Sequence, residues 1–179
     1  MGGSHNMSKT LIIDGNRCTG CHQCELACSF RKLRKFSPYD SRIQVSSWED
    51  RCLSIPVVCM QCEDAPCARV CPVGAIQLNR QTGAYEVDED RCLGCKMCSI
   101  VCPFSAVVPD RYTGKAIKCD LCDGDPACVA VCAPDALTFE EDVHARAGQR
   151  RQVAAQVRAT LLGEESVIPS GLEKLGSAE

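Results

Sequence analysis

Sixteen of the seventeen cysteines in this chain fall into four groups of four, and this spacing limits the possible folds more than any other feature. Each group ends with three residues between its last two cysteines. In chain order the groups are Cys18, Cys21, Cys24 and Cys28; Cys59, Cys62, Cys67 and Cys71; Cys92, Cys95, Cys98 and Cys102; and Cys119, Cys122, Cys128 and Cys132. The chain has only eight aromatic residues, so something other than the packing of large apolar side chains must hold much of it together.

The groups also repeat in pairs, which predicts an internal symmetry. Two matches carry the repeat: "DGNRCTGCHQCELAC" (14–28) with "DEDRCLGCKMCSIVC" (88–102), and "CMQCEDAPCARVCPVGAI" (59–76) with "CDLCDGDPACVAVCAPDAL" (119–137). The chain therefore divides into two related halves, 8–87 and 88–139, each with one compact and one more widely spaced group. Residues 29–58 form an insert in the first half.

Three chemical uses of the cysteines compete. Disulfides are disfavoured, because the cysteine count is odd and the N-terminus has no apolar stretch of signal-peptide length. Zinc favours pairs of cysteines or mixtures with histidine, and only three histidines are present. Iron–sulfur clusters suit the spacing best. We therefore favour clusters for the sixteen grouped cysteines, with zinc or unliganded thiols as the alternatives.

The compact groups have the residues that a loop around a cubane cluster requires. Gly20 and Gly94 lie between the first two cysteines of their groups, where a glycine permits positive φ and close backbone approach. Three thiols of such a loop can face one cluster, whereas the helical turn that follows carries the fourth thiol away. The fourth cysteine of a group is therefore expected to bind a neighbouring cluster, as in two-cluster ferredoxins.

The third group with its proline, "CLGCKMCSIVCP", matches the bacterial ferredoxin motif in full. Residues 10–140 resemble the four-cluster polyferredoxin subunits of formate dehydrogenase, nitrate reductase and dimethyl sulfoxide reductase. The resemblance is greatest to the small iron–sulfur subunit of bacterial tungsten-containing aldehyde oxidoreductases. It implies an α+β fold of tandem bacterial-ferredoxin-like units, with short strands and helices around four [4Fe-4S] clusters and a C-terminal helical arm.

The resemblance also implies which cysteines hold each cluster, because in that family the first and fourth groups share two clusters and the second and third share two. Carried over by position, the ligands are Cys18, Cys21, Cys24 and Cys132 for cluster 1; Cys59, Cys62, Cys67 and Cys102 for cluster 2; Cys92, Cys95, Cys98 and Cys71 for cluster 3; and Cys119, Cys122, Cys128 and Cys28 for cluster 4. The sequence departs from the pattern after Cys28 and Cys132, which no proline follows directly.

Short strands and helical turns are predicted around the groups. The predicted elements are a strand at 10–14 that pairs with one at 136–140, hairpins at 75–90 around Gly83 and at 106–119 around Gly114, a strand at 42–47, and a helical turn from the third to the fourth cysteine of each group. The leftover Cys52 is expected to be a small buried or half-exposed thiol. His22 is expected to be a surface residue near a cluster, since a Rieske-type site needs two histidines.

The four-cluster domain is predicted to span 7–140, with other material at both ends. Residues 1–6, "MGGSHN", are interpreted as an expression scar. Residues 141–179 contain no cysteine and are predicted to form a helical arm and tail, with Val153, Val157 and Leu161 on one helix face. We favour an arm that docks on a partner, and the alternative is a helix that packs on its own domain.

Charge and composition exclude several functions. The net charge of −3 argues against a nucleic-acid binder, and no run of 18 apolar residues predicts a membrane span. A reducing cytoplasm is the expected setting. No catalytic triad, phosphate loop or dinucleotide fingerprint is present, so no catalytic residue is predicted. The basic run 31–35 is expected to be a solvated face or a docking patch for an acidic partner.

The protein is therefore expected to carry single electrons along its clusters. The resemblance implies a partner subunit with a tungsten or molybdenum cofactor that oxidises aldehydes, and a flavin-containing subunit that reacts with NAD. A row of clusters exposed at both ends could also join further copies of the chain into an extended assembly. The alternatives are the same role in a formate dehydrogenase, hydrogenase or ring reductase, or a structural adaptor that folds around clusters or zinc.

Overall fold

Antiparallel pairing of two short strands joins the two ends of the chain segment that the structure describes. This structure is a computed structural model, which describes residues 9–140. Strand β1, Thr10–Ile13, pairs with the last strand, β8, Leu137–Glu140, with Leu11 opposite Phe139. The predicted pairing is confirmed, and it brings the first and fourth cysteine groups together. The predicted arm at 141–179 lies outside the described residues.

The remaining strands form three separate two-stranded hairpins. Their bounds are Ile43–Trp48 (β2) with Leu53–Val58 (β3), Ile76–Leu78 (β4) with Tyr85–Val87 (β5), and Val108–Pro109 (β6) with Ala116–Ile117 (β7). The second and third hairpins are those predicted around Gly83 and Gly114. Strand β3 was not predicted. Its Pro56 has no N–H to donate, which disfavours a central strand. In a two-stranded sheet both strands are edges, so Pro56 is tolerated opposite Val45.

Four helices carry the third cysteine of each group, as predicted. They are Gln23–Leu33 (α1), Pro66–Arg69 (α2), Met97–Val101 (α3) and Ala127–Ala130 (α4). Helix α1 has 11 residues because Ser29, unlike the proline after Cys71 or Cys102, lets it continue. Among residues 9–140, no helix is long and apolar enough to cross a membrane.

Small side chains and cysteines make up the two hydrophobic cores. The first core has ten buried members, of which four are Cys24, Cys28, Cys119 and Cys128. The second core is built around Ala65, Ile76, Val107 and Ala116, with Cys67 and Cys98. The largest fully buried side chains of the described residues include no aromatic ring. Much of the interior is therefore lined by sulfur, as the composition predicts.

Candidate metal centres

Left-handed backbone turns shape the loops of the two compact groups. Gly20 and Gly94 have φ of 67° and 68°, as predicted from their positions. A Cβ atom on Gly94 would lie 2.9 Å from the carbonyl oxygen of Gly114, so the two turns approach too closely for a side chain. His22 and Lys96, two residues before the third cysteine, also have positive φ and cap α1 and α3. The repeat seen in the sequence is thus also a repeat of backbone conformation.

A second repeated turn follows the fourth cysteine of three groups. Gly74, Ser105 and Asp135 each lie three residues after that cysteine and have positive φ. After two of these turns the next amide faces the thiol, since the Ala75 N–H donates to Cys71 Sγ at 3.2 Å and the Ala106 N–H to Cys102 Sγ at 3.4 Å. This turn was missed from the sequence, although an alanine follows each of the three residues and marks the repeat.

Three cavities each bring together three cysteines of one group and the last cysteine of another. We name each cavity after the group that contributes three thiols. The third-group cavity is lined by Cys92, Cys95, Cys98 and Cys71, the second-group cavity by Cys59, Cys62, Cys67 and Cys102, and the fourth-group cavity by Cys119, Cys122, Cys128 and Cys28. Their volumes, which include space open to solvent at the mouth, are about 420, 350 and 310 Å³.

The remaining four grouped cysteines lie around the start of α1. Cys24 is close enough to Cys18 and Cys21 to interact with them electrostatically. Cys132 packs against the core that contains Cys24, and α1 contacts α4 extensively. Within residues 9–140, no three cysteine, histidine or acidic side chains have the geometry for a single bound metal ion.

Burial makes six of the grouped thiols reluctant to ionise on their own. It raises the pKa of Cys24 and of Cys119 to about 12, and it raises the pKa of Cys128 as well. Cys71 differs, because hydrogen bonds from backbone amides, with Ala75 first, outweigh its burial and lower its pKa. A bound cation is what lets buried thiols of this kind become thiolates.

Backbone amides are directed at sulfur in several other places. The N–H groups of Arg42, Ala116 and Leu121 donate to the sulfurs of Cys28, Cys92 and Cys119 at 3.4, 3.4 and 3.5 Å. Such hydrogen bonds stabilise negative charge on thiolate ligands and help to set cluster potentials. The chemistry of these sites, soft thiolates with amide donors around a cavity, therefore fits an iron–sulfur cluster.

The insert at 29–58 covers the side of α1 next to the fourth-group cavity. The buried Glu25 of α1 accepts the N–H of Val45 at 2.6 Å and contacts His22 Nδ1 at 2.9 Å, which ties β2 to the helix. Lys32 and Arg42 both pair with Asp120, at 2.6 and 2.8 Å. Although burial acts to raise it, these two cations hold the pKa of Asp120 below its usual value.

One of the expectations for single residues was wrong. Cys52 is exposed rather than buried or half-exposed, because it ends a short 3₁₀ turn, and it lines none of the three cavities. Sequence reasoning also missed Lys118 and Gln61, which are both 3% exposed and line the second-group cavity. A lysine directly before a cysteine gives no sequence signal of burial. His22 is half-exposed beside the first group, as expected.

Comparison with known proteins gives the chain a family. The 4Fe-4S dicluster domain family matches residues 51–142, which is just over half of the chain. The Escherichia coli protein YsaA is 45% identical over 143 residues, covering 73% of this chain and 88% of YsaA. The E. coli electron transport protein HydN is 36% identical over 154 residues, covering 73% of this chain and 87% of HydN. A polyferredoxin-like subunit of aliphatic sulfonate oxidoreductase from Pyrococcus furiosus is 35% identical over 122 residues, covering 68% of this chain and 70% of that subunit.

Proposed function

Because this chain belongs to the 4Fe-4S dicluster domain family and is an iron–sulfur electron-transfer subunit of the kind found in oxidoreductase complexes, we propose that it holds four [4Fe-4S] clusters. When bound, such a cluster takes up and releases single electrons. Each cluster has three ligands from one cysteine group and one from another, in the sets given above for clusters 1 to 4. The supporting observation is that three cavities contain the expected combinations of thiols.

Contacts between cysteines of different sets support a linear order of the clusters. Cys24 of cluster 1 interacts electrostatically with Cys128 of cluster 4, and Cys119 of cluster 4 interacts with Cys59 of cluster 2. Clusters 2 and 3 are linked by their exchanged ligands, Cys102 and Cys71. The proposed order is therefore 1, 4, 2, 3, in which the pair of clusters held by the first and fourth groups meets the pair held by the second and third groups between clusters 4 and 2.

The two ends of this row differ from its middle in exposure. Cys21 of cluster 1 and Cys95 of cluster 3 are exposed, whereas all four ligands of cluster 4 are buried and none of cluster 2 is exposed. Clusters 1 and 3 are thus the points at which electrons would enter and leave. The middle clusters are shielded from direct contact with partners.

The partners that we propose are a tungsten- or molybdenum-cofactor subunit that oxidises aldehydes and a flavin-containing subunit that reacts with NAD, in the cytoplasm. No disulfide joins the cysteines of residues 9–140, which suits a reducing compartment. The same role in a formate dehydrogenase, hydrogenase or ring reductase is the alternative. Further copies of the chain could extend the row through Cys21 or Cys95.

Co-purification of the complex without a tag on this subunit, followed by metal and flavin analysis, tests the partners. Tungsten or molybdenum together with flavin is expected. Nickel would instead assign the chain to a hydrogenase, and the absence of a cofactor-bearing partner would contradict the proposal. Iron content tests the clusters, since four cubanes require about sixteen irons per chain. About four zinc ions in place of iron would favour a structural adaptor.

A further inference from the structure

A lysine lies buried between two of the candidate centres. Lys118 is 3% exposed. Its ammonium group donates hydrogen bonds to Gln61 Oε1 at 3.3 Å, to the carbonyl oxygen of Cys119 at 3.0 Å and to the carbonyl oxygen of Tyr85. Three acceptors satisfy its three N–H groups, but all three are neutral.

Within residues 9–140, the ion pairs of the structure leave Lys118 without a carboxylate partner. Removing an ammonium group from water is strongly unfavourable unless a charge of opposite sign lies nearby. Neutral carbonyl groups lower this cost without cancelling the charge. A buried lysine in such surroundings therefore points to a negative group that completes the site.

The position of Lys118 shows where that negative charge belongs. Its side chain lines the second-group cavity together with Cys59, Cys62, Cys67 and Cys102. Through Cys119 it also adjoins the fourth-group cavity, and Gln61 Nε2 donates to the same Cys119 carbonyl at 2.8 Å. Lys118 and Gln61 thus form a polar link between the second-group cavity and the fourth-group cavity.

The internal repeat shows that packing alone does not require this lysine. The residue directly before the second cysteine group, equivalent to Lys118, is Val58, and the equivalent of Gln61 is Leu121. Val58 and Leu121 are both buried in the first core and line the fourth-group cavity. That cavity has cations at Lys32 and Arg42, but both share Asp120 and neither is as buried as Lys118. The repeat therefore accepts an apolar pair at these positions. Of the three cavities described for residues 9–140, only the second-group cavity has an uncompensated buried cation.

We propose that Lys118 is the buried counter-charge of cluster 2, and that it raises the midpoint reduction potential of this cluster. The proposal rests on the proposed function, since it requires that the second-group cavity holds a cluster. Reduction adds a negative charge to the cavity, and a nearby buried cation stabilises the reduced form more than the oxidised form. Because cluster 2 adjoins cluster 4 in the proposed order, Lys118 would favour the presence of an electron in the middle of the row.

The test is a redox titration of the whole protein with its clusters, followed by electron paramagnetic resonance, on wild type and Lys118→Met. We expect the oxidised-to-reduced ratio of one cluster to rise at least tenfold at a fixed ambient potential, which is a downward shift of 59 mV for a one-electron couple. Lys118→Arg keeps the charge and is expected to stay near the wild-type potential. Lys9→Met removes an exposed lysine and serves as the matched control, with no shift expected.

The outcomes separate this inference from the proposed function. Wild type without about sixteen irons would contradict the proposed function. Wild type and Lys118→Met with equal iron and unchanged potentials would overturn the role of Lys118 alone. If Lys118→Met is too labile to titrate, iron release from it and from Lys118→Gln is compared under oxidising and reducing conditions. Faster release specifically on reduction supports the counter-charge, and equal acceleration in both conditions contradicts it.

Discussion

Gly94 and Gly114 show how closely two segments approach beside the third-group cavity, which both residues line. Both have positive φ, 68° and 70°. Only Gly94 also faces a steric limit, because its Cβ position lies 2.9 Å from the Gly114 carbonyl oxygen, whereas nothing lies within 4 Å of a Cβ on Gly114. The sequence predicts the backbone freedom of Gly94 from its place between two cysteines. The contact with Gly114 is twenty positions away and required the fold.

Replacing Gly94 with alanine is expected to cost more stability than replacing Gly114. Both substitutions place a side chain in the left-handed region, at about 1–2 kcal/mol. Gly94→Ala also brings the new Cβ atom into a clash with the Gly114 carbonyl oxygen, which is expected to cost a further amount of about 1–3 kcal/mol. The rate of iron release to a chelator compares the two variants. Equal rates would contradict the close approach of the two turns.

Cys28 tests the exchange of ligands between groups. Cys28→Ser is expected to remove the cluster that Cys119, Cys122 and Cys128 hold, and with it about four irons per chain. The cluster of Cys18, Cys21 and Cys24 is expected to survive, because Cys28 lines the fourth-group cavity. Iron analysis and the loss of one cluster signal in electron paramagnetic resonance measure the effect.

Cys52→Ser is the matched control for Cys28→Ser, since Cys52 is exposed and lies in no cavity described here. It is expected to retain all its iron. Loss of the first-group cluster in Cys28→Ser, with the fourth-group cluster intact, would instead show that the four cysteines of one group bind one cluster together.

At the scale of elements, α1 departs from the short helices of the other groups. Ser29 is fully buried. Its hydroxyl donates a hydrogen bond to the Leu26 carbonyl at 3.0 Å and accepts one from the Ser37 N–H at 3.1 Å. These bonds hold the start of the insert against the helix. The absence of a proline after Cys28 could be seen in the sequence, but the length of α1 and the partner of Ser29 could not.

Ser29→Pro is expected to end α1 near Cys28 and to loosen the insert, at a cost of about 3 kcal/mol or more. Ser29→Ala removes the hydroxyl contacts but leaves the helix, and about 1 kcal/mol is expected. Hydrogen exchange at the Arg34 N–H, which donates to the Phe30 carbonyl at 2.9 Å, reports the last turn of α1. Slow exchange in Ser29→Pro would contradict the proposed role of this position.

At the scale of the whole molecule, two small cores rich in cysteine hold together strands of two to six residues. Such cores bury little large apolar surface, and isolated two-stranded hairpins are marginally stable in water. The β1–β8 pair closes the domain, but four residue pairs cannot supply its stability alone. The free energy of cluster binding is therefore expected to be a large part of the folding free energy.

Removal of iron with a chelator under anaerobic conditions is expected to unfold residues 9–140. Circular dichroism and amide hydrogen exchange should show the loss of strands and helices together with the loss of iron. When iron and sulfide are added back to the apoprotein, the circular dichroism and the amide protection are both expected to return. An apoprotein that keeps the native structure without iron would contradict the view that clusters stabilise the cores.

Local sequence patterns determined the four cysteine groups, the internal repeat, the positive φ of Gly20 and Gly94, and the hairpins around Gly83 and Gly114, because these depend on residues close together in the chain. Tertiary structure alone decided the strand β3, the exposure of Cys52, and the burial of Lys118 beside Gln61, fifty-seven positions away. The physical reason is that a side chain's burial and charge balance depend on distant segments, which no local pattern specifies. A lysine before a cysteine resembles a surface residue until the fold buries it in the wall of one thiol-lined cavity, next to a cysteine that lines another.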